Sequence, residues 1–214
     1  MRIIDVPQGS EEWHKTRDGL IGGTSVEKLV SKTTSAKLKY EILASRFEDF
    51  ELEDKKITDA MQRGIELEPL ARQYLEEYTG LVFNEYGWLQ SDIDILGISP
   101  DGLTEDKKIS CEIKCPSKAV HMSYIQSDIL PYFWQNVNYF AVNPQLEKHY
   151  FISYRPESQI QAHIIELTRD TKVMRTKTIG GTIQKFAEEV IELAEIMDAE
   201  VKEEYKDIKE RFMI

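Results

Sequence analysis

The first third of the chain spaces its apolar residues as amphipathic helices do. Ser10 is a suitable N-cap for a short helix over about 11–17, which Gly19 would end. Thr24 or Ser25 would cap a second short helix that runs through Val30. A third helix is predicted where four apolar residues follow at helical spacing: Leu38, Ile42, Leu43 and Phe47.

A longer helix is predicted between Thr58, its N-cap, and Gly80, its stop signal. Pro69 lies inside this segment, and proline removes a helical hydrogen bond, so we expect a kink there or two helices that meet. The apolar side of the helix would be formed by Met61, Ile65, Leu67, Leu70, Tyr74 and Leu75.

The pattern then changes to short apolar stretches between turn residues, which is typical of strands. The segments LVFNEYGWLQ, IDILGIS and KKISCEIKCP predict three consecutive strands, arranged as a meander. A helix from about Pro131 to Val142 follows, and then the strand pair KHYFISYRP and IQAHIIEL. The last helix carries one apolar face with Phe186, Val190, Leu193 and Met197.

This order of elements predicts an α/β (α+β) fold in which helices flank a sheet. We expect a single domain over residues 1–214, with a helical part at about 1–80, a core at about 81–167 and a C-terminal helical part at 168–214. Cys111 and Cys115 lie too far apart on one strand for a disulfide, so both are predicted to be reduced thiols.

Charge and hydropathy narrow the possible functions. The net charge of −11 argues against a passive nucleic-acid coat, although an enzyme can still approach phosphate through metal ions. No apolar run reaches the roughly 20 residues of a membrane span, and the start of the chain shows no signal-peptide pattern. We therefore expect a cytosolic protein.

The third predicted strand has two different faces, because successive side chains alternate. One face is uniformly apolar and should lie in the core: Ile109, Cys111, Ile113 and Cys115. The other face carries Ser110, Glu112 and Lys114, and Asp101 arrives from the turn SPDG just before the strand. A charged pair on a strand of this kind is costly unless other groups compensate it.

Two carboxylates beside a lysine suit a divalent-metal site. Asp101 and Glu112 offer the hard oxygen ligands that Mg²⁺ or Mn²⁺ prefers, and Lys114 could orient or activate a water. The spacing Asp…Glu-x-Lys also occurs by chance, and a surface salt bridge is the alternative interpretation.

The pattern resembles the PD-(D/E)xK nuclease superfamily, and further motifs narrow the resemblance. QGSEEWHKTRDGLIGGTS, MQRGIELEPLARQYLEEYTG, SPDGL with CEIKCP, and YFWQNVNYFAVN resemble, in order, four motifs of the YqaJ-like viral recombinases, the family of phage lambda exonuclease. The resemblance covers about residues 8–143, and the remaining seventy residues fit in length and pattern only. It implies a restriction-endonuclease-like core with a mixed sheet of about five strands.

The resemblance implies a role for each matching position near the strand. Asp101 and Glu112 would bind the catalytic metal, with the Ile113 backbone carbonyl as a further ligand. Glu68 would complete a site for two Mg²⁺ or Mn²⁺ ions, and Lys114 would position or activate the attacking water. Glu68 could instead be an ordinary solvated helix position.

The same comparison implies a pocket for a DNA 5′-phosphate. Arg17, Ser99 and a hydroxyl from Thr24 or Ser25 match the phosphate-binding positions, and this chain has Thr24 where the family usually has serine. Gln135 would steady the water or the site from its helix, or would simply be a satisfied polar residue under the sheet.

Two residues of the first motif also have purely structural interpretations. Arg17 could pair with an acid such as Glu12 or Asp18 rather than with phosphate. Trp13 fits a core anchor better than a platform on which a base stacks.

The function implied is a metal-dependent 5′→3′ exonuclease that degrades one strand of linear duplex DNA to 5′-mononucleotides and leaves 3′ single strands for phage-type recombination. The implied partners are a single-strand annealing protein and further copies of the chain in a ring-shaped trimer, in the cytoplasm of a bacterial host. The alternatives are a related endonuclease or 3′→5′ exonuclease, and a non-catalytic DNA-end-binding module on a nuclease fold.

Overall fold

The computed structural model describes residues 1–52 and 57–212. The first part of the chain is mainly helical and follows one short strand. Its elements are β1 (Arg2–Ile4), α1 (Glu11–Arg17), α2 (Val26–Val30), α3 (Ser35–Ala44) and α4 (Asp59–Thr79). The short strand β1 was not predicted, whereas all four helices were.

Local capping accounts for the helix ends. The Ser10 side chain accepts a hydrogen bond from the Trp13 amide at 3.1 Å, and Thr58 accepts one from the Met61 amide at 3.2 Å. Gly80 ends α4 in the left-handed conformation, with φ of 70°. The helix runs as one element through Pro69, so the alternative of two separate helices is wrong.

The predicted apolar side of α4 is only partly buried. Ala71 and Leu75 are fully buried, but Met61, Ile65 and Leu70 are 52%, 59% and 49% exposed. The prediction failed for the first half of the helix because apolar spacing alone does not show whether another layer covers the face.

Two sheets replace the predicted meander. A mixed four-stranded sheet has the order β4 (Gly102–Leu103), β5 (Ile109–Lys114), β6 (Lys148–Tyr154) and β7 (Ala162–Leu167), with β5 and β6 parallel. A separate three-stranded sheet joins β1 to β2 (Trp88–Gln90) and β3 (Gly97–Ile98). Pro100 lies between β3 and β4, and its lack of an N–H donor favours this break.

The expected sheet of about five strands is therefore a sheet of four within the described residues. An isolated antiparallel bridge between Asn84 and Leu103 extends its β4 edge. The strand pair predicted after the central helix is confirmed as the antiparallel β6 and β7.

The remaining helices cover the sheet and close the fold. They are α5 (Lys118–Gln126), which was not predicted, α6 (Phe133–Val142) and α7 (Ile183–Phe212). α6 begins two residues after Pro131, because Tyr132 adopts a left-handed conformation with φ of 46°. A hairpin that was also not predicted, β8 (Lys172–Met174) and β9 (Gly180–Thr182), precedes α7.

The two faces of β5 are as predicted. Cys111 and Ile113 are buried in an apolar cluster with Ala71 and Leu75 of α4, and Ile109 and Cys115 pack against it. Both cysteines are free thiols. None of the helices in the described ranges has the length and apolar character of a membrane span.

Candidate active site

Glu112 is the centre of a buried polar cluster between β5 and α6. Its side chain is fully buried and accepts hydrogen bonds from Gln135 Nε2 at 2.6 Å and from the Tyr139 hydroxyl at 2.7 Å. Lys114 Nζ also contacts Oε1 of Glu112. Three donors therefore compensate a carboxylate that would otherwise be very unfavourable in this position.

Lys114 remains a cation in this environment. Burial alone would lower the pKa of its ammonium group, but Glu112 and Asp101 outweigh that effect and raise the pKa above its ordinary value. The ammonium lies 4.7 Å from the centroid of the Tyr132 ring, which is held there by the left-handed turn before α6. Lys114 thus carries a fixed positive charge next to two carboxylates.

Asp101 reaches the same strand from the end of β3. Its Oδ2 accepts a hydrogen bond from the Ile113 amide at 2.7 Å, which places the carboxylate beside Glu112 and Lys114. Burial, and next the charge of Glu112, raise the pKa of Asp101 well above its usual range. The N–H and C=O of one residue point to the same edge of a strand, so the Ile113 carbonyl is expected on the Asp101 side.

Arg72 links the helix α4 to this cluster and was missed by the sequence reasoning. Its Nη2 donates to Glu68 Oε1 at 2.8 Å, its Nε donates to the Asp101 carbonyl at 2.8 Å, and its Nη1 contacts Glu85. The side chain is only 11% exposed. The i,i+4 spacing of Glu68 and Arg72 is a signal for the first contact alone, because the other two are not local.

Glu68 belongs to the same electrostatic environment as the strand carboxylates. Burial raises its pKa, Arg72 lowers it, and the charges of Glu85 and Glu112 contribute to the net increase. The side chain is half-buried and paired with Arg72, so it is not a purely solvated helix position.

The carboxylates of Asp101 and Glu112 suit a hard divalent cation, but they do not form a complete set of ligands. Asp101 and Glu112 are neighbouring carboxylates whose mutual repulsion a cation would relieve, and Mg²⁺ commonly uses one or two carboxylates with water and phosphate. Among the described residues, no three acidic, histidine or cysteine side chains form a ready metal cage. The ligand roles of Glu68, Asp101, Glu112 and the Ile113 carbonyl therefore stay predictions.

Arg17 lies outside the Glu112 cluster, between the rings of Trp13 and Trp88, at a site here called the Arg17 pocket. Its guanidinium is 3.8 Å from the centroid of Trp13 and 5.6 Å from that of Trp88. Burial lowers its pKa to about 10, so it is still charged at neutral pH. Within residues 1–52 and 57–212 no ion pair joins it to Glu12 or Asp18, so the structure gives no support to the pairing considered as an alternative to phosphate binding.

Ser99 is adjacent to this pocket. Its hydroxyl donates to the Gly87 carbonyl at 2.6 Å and accepts from Trp13 Nε1 at 3.0 Å. Ser25 is already engaged, since its hydroxyl accepts from the Gly22 amide at 2.9 Å. Thr24 is exposed. These contacts leave Thr24 the more available of the two hydroxyls.

The turn Gly22–Gly23 lies between the Arg17 pocket and the Glu112 cluster. A Cβ on Gly22 would lie 3.4 Å from the Trp88 ring and 3.7 Å from Arg17 Nη2. A Cβ on Gly23 would lie only 2.9 Å from Cγ of Gln135, the residue that donates to Glu112. The absence of side chains therefore allows the Arg17 pocket and the Glu112 cluster to be direct neighbours.

The Tyr139 ring packs against the buried, neutral imidazole of His149. The rings of Tyr139 and His149 are stacked with centroids 4.1 Å apart. His149 is hydrogen-bonded to Ser110 and to Asn136, both at 2.8 Å, and burial lowers its pKa to about 3. Tyr139 and His149 were not among the predicted site residues. Tyr139 lies one helical turn after Gln135, which is the one signal that could have indicated it.

A mixed sheet with helices on both sides, and Asp and Glu-x-Lys side chains at one end of two adjoining strands, defines a PD-(D/E)xK-type nuclease fold. The model of the YqaJ-like viral recombinase domain family matches residues 12–164. The chain belongs to this family, which confirms the resemblance inferred from the four motifs.

Solved structures agree with this assignment. The chain is similar to an alkaline exonuclease (LHK-Exo) from Laribacter hongkongensis, with 26% identity, a TM-score of 0.77 and coverage of 94% of this chain and 97% of that one. The same exonuclease in complex with dAMP gives 25% identity, a TM-score of 0.77 and the same coverage. Comparison with the curated proteins finds no match.

A third structure shares the fold alone. It is a phage-related exonuclease from Haemophilus somnus 129PT, with 12% identity, a TM-score of 0.51 and coverage of 86% of this chain and 96% of that one.

Proposed function

We propose that the protein is a metal-dependent 5′→3′ exonuclease that degrades one strand of linear double-stranded DNA to 5′-mononucleotides. The products would be 3′ single-stranded overhangs, the substrates of phage-type homologous recombination. Membership of the viral recombinase family and the likeness to an alkaline exonuclease support DNA cleavage. The direction and the products are part of the proposal.

The observation that carries the proposal is that the Arg17 pocket and the Glu112 cluster are direct neighbours. Arg17 lies on one side of the Gly22–Gly23 turn, and Gln135 with Glu112 lies on the other. A strand whose 5′-phosphate is bound by Arg17 would place a phosphodiester close to its own end beside Glu112. Cleavage near a 5′ end releases short products and requires no base recognition, because backbone contacts carry no sequence information.

Asp101, Glu112 and the Ile113 carbonyl would hold a divalent cation, Mg²⁺ or Mn²⁺, and Glu68 would help to hold a second one. Bound cations of this kind lower the pKa of a water and neutralise charge on the phosphodiester. Arg72 would keep Glu68 and the Asp101 backbone in register, since it donates to both. Glu112 would have to exchange at least one of its present donors for the cation.

Lys114 would act on the attacking water. Its ammonium group can donate a hydrogen bond to one lone pair of the water, which leaves the other lone pair to face phosphorus, and can stabilise the negative charge that develops on the phosphate oxygens. Gln135 and Tyr139 would hold the Glu112 carboxylate in one orientation while Lys114 turns to the substrate. Arg17 would form forked, charge-assisted hydrogen bonds with the terminal phosphate. The exposed Thr24 hydroxyl would donate a further bond, and Ser99 would do so after its hydroxyl releases the Gly87 carbonyl.

Digestion of three DNA substrates in Mg²⁺ or Mn²⁺ tests the proposal. They are an end-labelled linear duplex with 5′-phosphates, the same duplex without them, and a closed circle. We expect release of 5′-mononucleotides from the phosphorylated linear duplex, much slower release from the dephosphorylated one, and no cutting of the circle. Cutting of the circle would indicate an endonuclease, and no cleavage in either metal would indicate a non-catalytic DNA-end-binding module.

The variants Lys114→Ala and Arg17→Ala separate the two pockets. Lys114→Ala should abolish cleavage with little change in DNA binding, while Arg17→Ala should mainly remove the preference for phosphorylated ends. Lys108→Ala is a matched control, because Lys108 is exposed at the opposite end of β5 and pairs with Glu147. Normal cleavage by Lys114→Ala would contradict the mechanism, and an unchanged end preference in Arg17→Ala would remove Arg17 from the phosphate pocket.

The proposal extends to assembly and location. We infer that the protein acts with a single-strand annealing protein, as a ring-shaped trimer, in the cytoplasm of a bacterial host. Family membership supports these inferences. Sedimentation of the purified protein tests the trimer directly, since a monomer at micromolar concentration would contradict it.

A further inference from the structure

The segment 169–185, here called the basic hairpin, differs in charge from the rest of the molecule. It contains five basic residues and one acidic residue in a chain whose net charge is −11. It comprises the hairpin β8–β9 and its flanks, and it lies outside the range 12–164 that the family model matches. The functional site described above does not use it.

The cations of the basic hairpin are available to a ligand. Lys172, Lys177 and Lys185 are exposed, and Arg175 is partly exposed. None of these four takes part in an ion pair among the described residues, whereas Lys39 contacts both Glu200 and Glu204, at 3.2 and 2.6 Å. The four cations therefore lack a carboxylate partner among the described residues, whereas many other lysines of the chain have one.

The tip of the basic hairpin is an ordered turn. The Arg175 amide donates to the Ile179 carbonyl at 2.8 Å. The Thr176 hydroxyl accepts from the amides of Thr178 at 3.3 Å and Ile179 at 3.0 Å. Lys177 is held at the apex, so little conformational entropy would be lost when the tip binds a ligand.

The basic hairpin packs against the segment that carries the catalytic cluster. The Leu130 amide donates to the Met174 carbonyl at 3.3 Å, and a parallel bridge joins Ile129 to Met174. The Arg175 guanidinium lies 4.9 Å from the centroid of Trp134, the residue before Gln135. One side of this short segment thus faces Glu112, and the other side faces the basic hairpin.

We propose that the basic hairpin binds the sugar–phosphate backbone of the DNA substrate through Lys172, Arg175 and Lys177. Cations interleaved with threonine hydroxyls are the groups that contact phosphate oxygens in protein–DNA complexes. Trp134 and Gln135 are consecutive residues in the first turn of α6, so Arg175 and Glu112 lie at the same end of that helix. This inference rests on the proposed function, and it adds a second electrostatic anchor for the DNA to the one proposed at Arg17.

Binding measured without divalent metal tests the basic hairpin separately from cleavage. Fluorescence anisotropy of a labelled duplex in EDTA, over a series of KCl concentrations, gives the dependence of the binding constant on salt. Each phosphate contact contributes about 0.9 to the slope of log K against log[salt]. The variant K172Q/R175Q/K177Q should therefore lower the slope by about 2 to 3 and weaken binding at least tenfold at low salt.

Two further variants control for folding and for charge in general. K172Q/K177Q leaves the stacked Arg175 in place and should lower the slope by about 2. K28Q/K37Q removes two lysines that pair with Glu41 on another part of the surface and should leave the slope unchanged.

The outcomes distinguish this inference from the proposed function. Binding by the wild type with an unchanged slope in both basic-hairpin variants would overturn the inference, even if the wild type digests DNA. A lower slope in those variants would support it, even if the wild type does not cleave. A change in oligomeric state with unaltered DNA binding would overturn it and assign the hairpin to contact with another copy of the chain.

Discussion

Burial has opposite energetic consequences on the two faces of β5, although alternate residues of one six-residue strand form both faces. Cys111 and Ile113 lie in an apolar cluster beside α4, where burial itself is favourable. Glu112 lies on the other face under α6, where burial is unfavourable and three donors offset it. The first face stabilises the fold, and the second holds the charges that we propose take part in cleavage.

Substitutions on the two faces of β5 should have different effects, although both faces belong to one strand. Loss of one apolar group leaves a cavity, and the free energy lost depends on how far the side chains around that cavity can collapse into it. Loss of one polar partner leaves its neighbours unsatisfied, so the effect spreads through Glu112, Lys114 and Gln135. Substitutions on the apolar face should therefore lower stability and leave cleavage nearly unchanged, whereas those on the polar face should lower cleavage most.

The variant Glu112→Gln should give the largest separation of the two properties. It removes the buried charge and one of the proposed metal ligands, so we expect cleavage to fall by about 10³-fold, the upper end of the range for loss of one strong electrostatic contribution. The free energy of unfolding without metal should fall by about 1 to 3 kcal/mol, because the donors around position 112 lose their charged acceptor. Single-turnover digestion and urea unfolding measure the two quantities.

The variant Ile152→Ala tests the apolar face. Ile152 is fully buried in β6 directly opposite Ile113, and an isoleucine-to-alanine change of this kind costs about 3 kcal/mol. Cleavage per folded molecule should remain within a few-fold of the wild type at a temperature where the variant is folded. The division between the faces would be wrong if Ile152→Ala lost activity as completely as Glu112→Gln while still folded.

The variant His149→Gln tests the polar network through its pH dependence. His149 has a pKa of about 3 in the folded state and an ordinary value near 6.5 when unfolded. The unfolded chain therefore binds a proton that the folded chain excludes, so stability is lost as the pH falls from 6.5 toward 3. Between pH 7.5 and pH 5 this group should account for about 2 kcal/mol.

Urea unfolding of the wild type and His149→Gln at both pH values checks this prediction. The variant should lose about 2 kcal/mol less than the wild type on acidification, even if it is less stable at pH 7.5. An equal loss in both proteins would mean that His149 is not held neutral in the fold.

Local signals in the sequence were sufficient for part of this account. Alternation along 109–115 predicted both faces of β5, and the residues Ser10, Thr58 and Gly80 predicted their helix ends. The predicted neighbours Asp101, Glu112 and Lys114 do lie together, since a tight turn and strand pairing bring them there. These features depend on residues that are close in the chain.

Features that depend on distant pairing were not predictable in the same way. β2 pairs with its neighbour in sequence β3, as a meander would, but also with β1, some eighty residues earlier, and no local pattern predicts the second pairing. Arg72 joins Glu68 to the Asp101 backbone across 29 positions, and Tyr139 reaches Glu112 across 27. The basic hairpin is polar, and periodicity gives little information about short polar strands.

Crystals grown with Mn²⁺ and a 5′-mononucleotide would test the central claim most directly, since anomalous scattering locates the metal. The polar face of β5 is predicted to bind Mn²⁺ at about 2.1 Å from oxygens of both Asp101 and Glu112, with Lys114 released from Glu112 toward the phosphate. Mn²⁺ located only elsewhere, with Lys114 still on Glu112, would contradict the account.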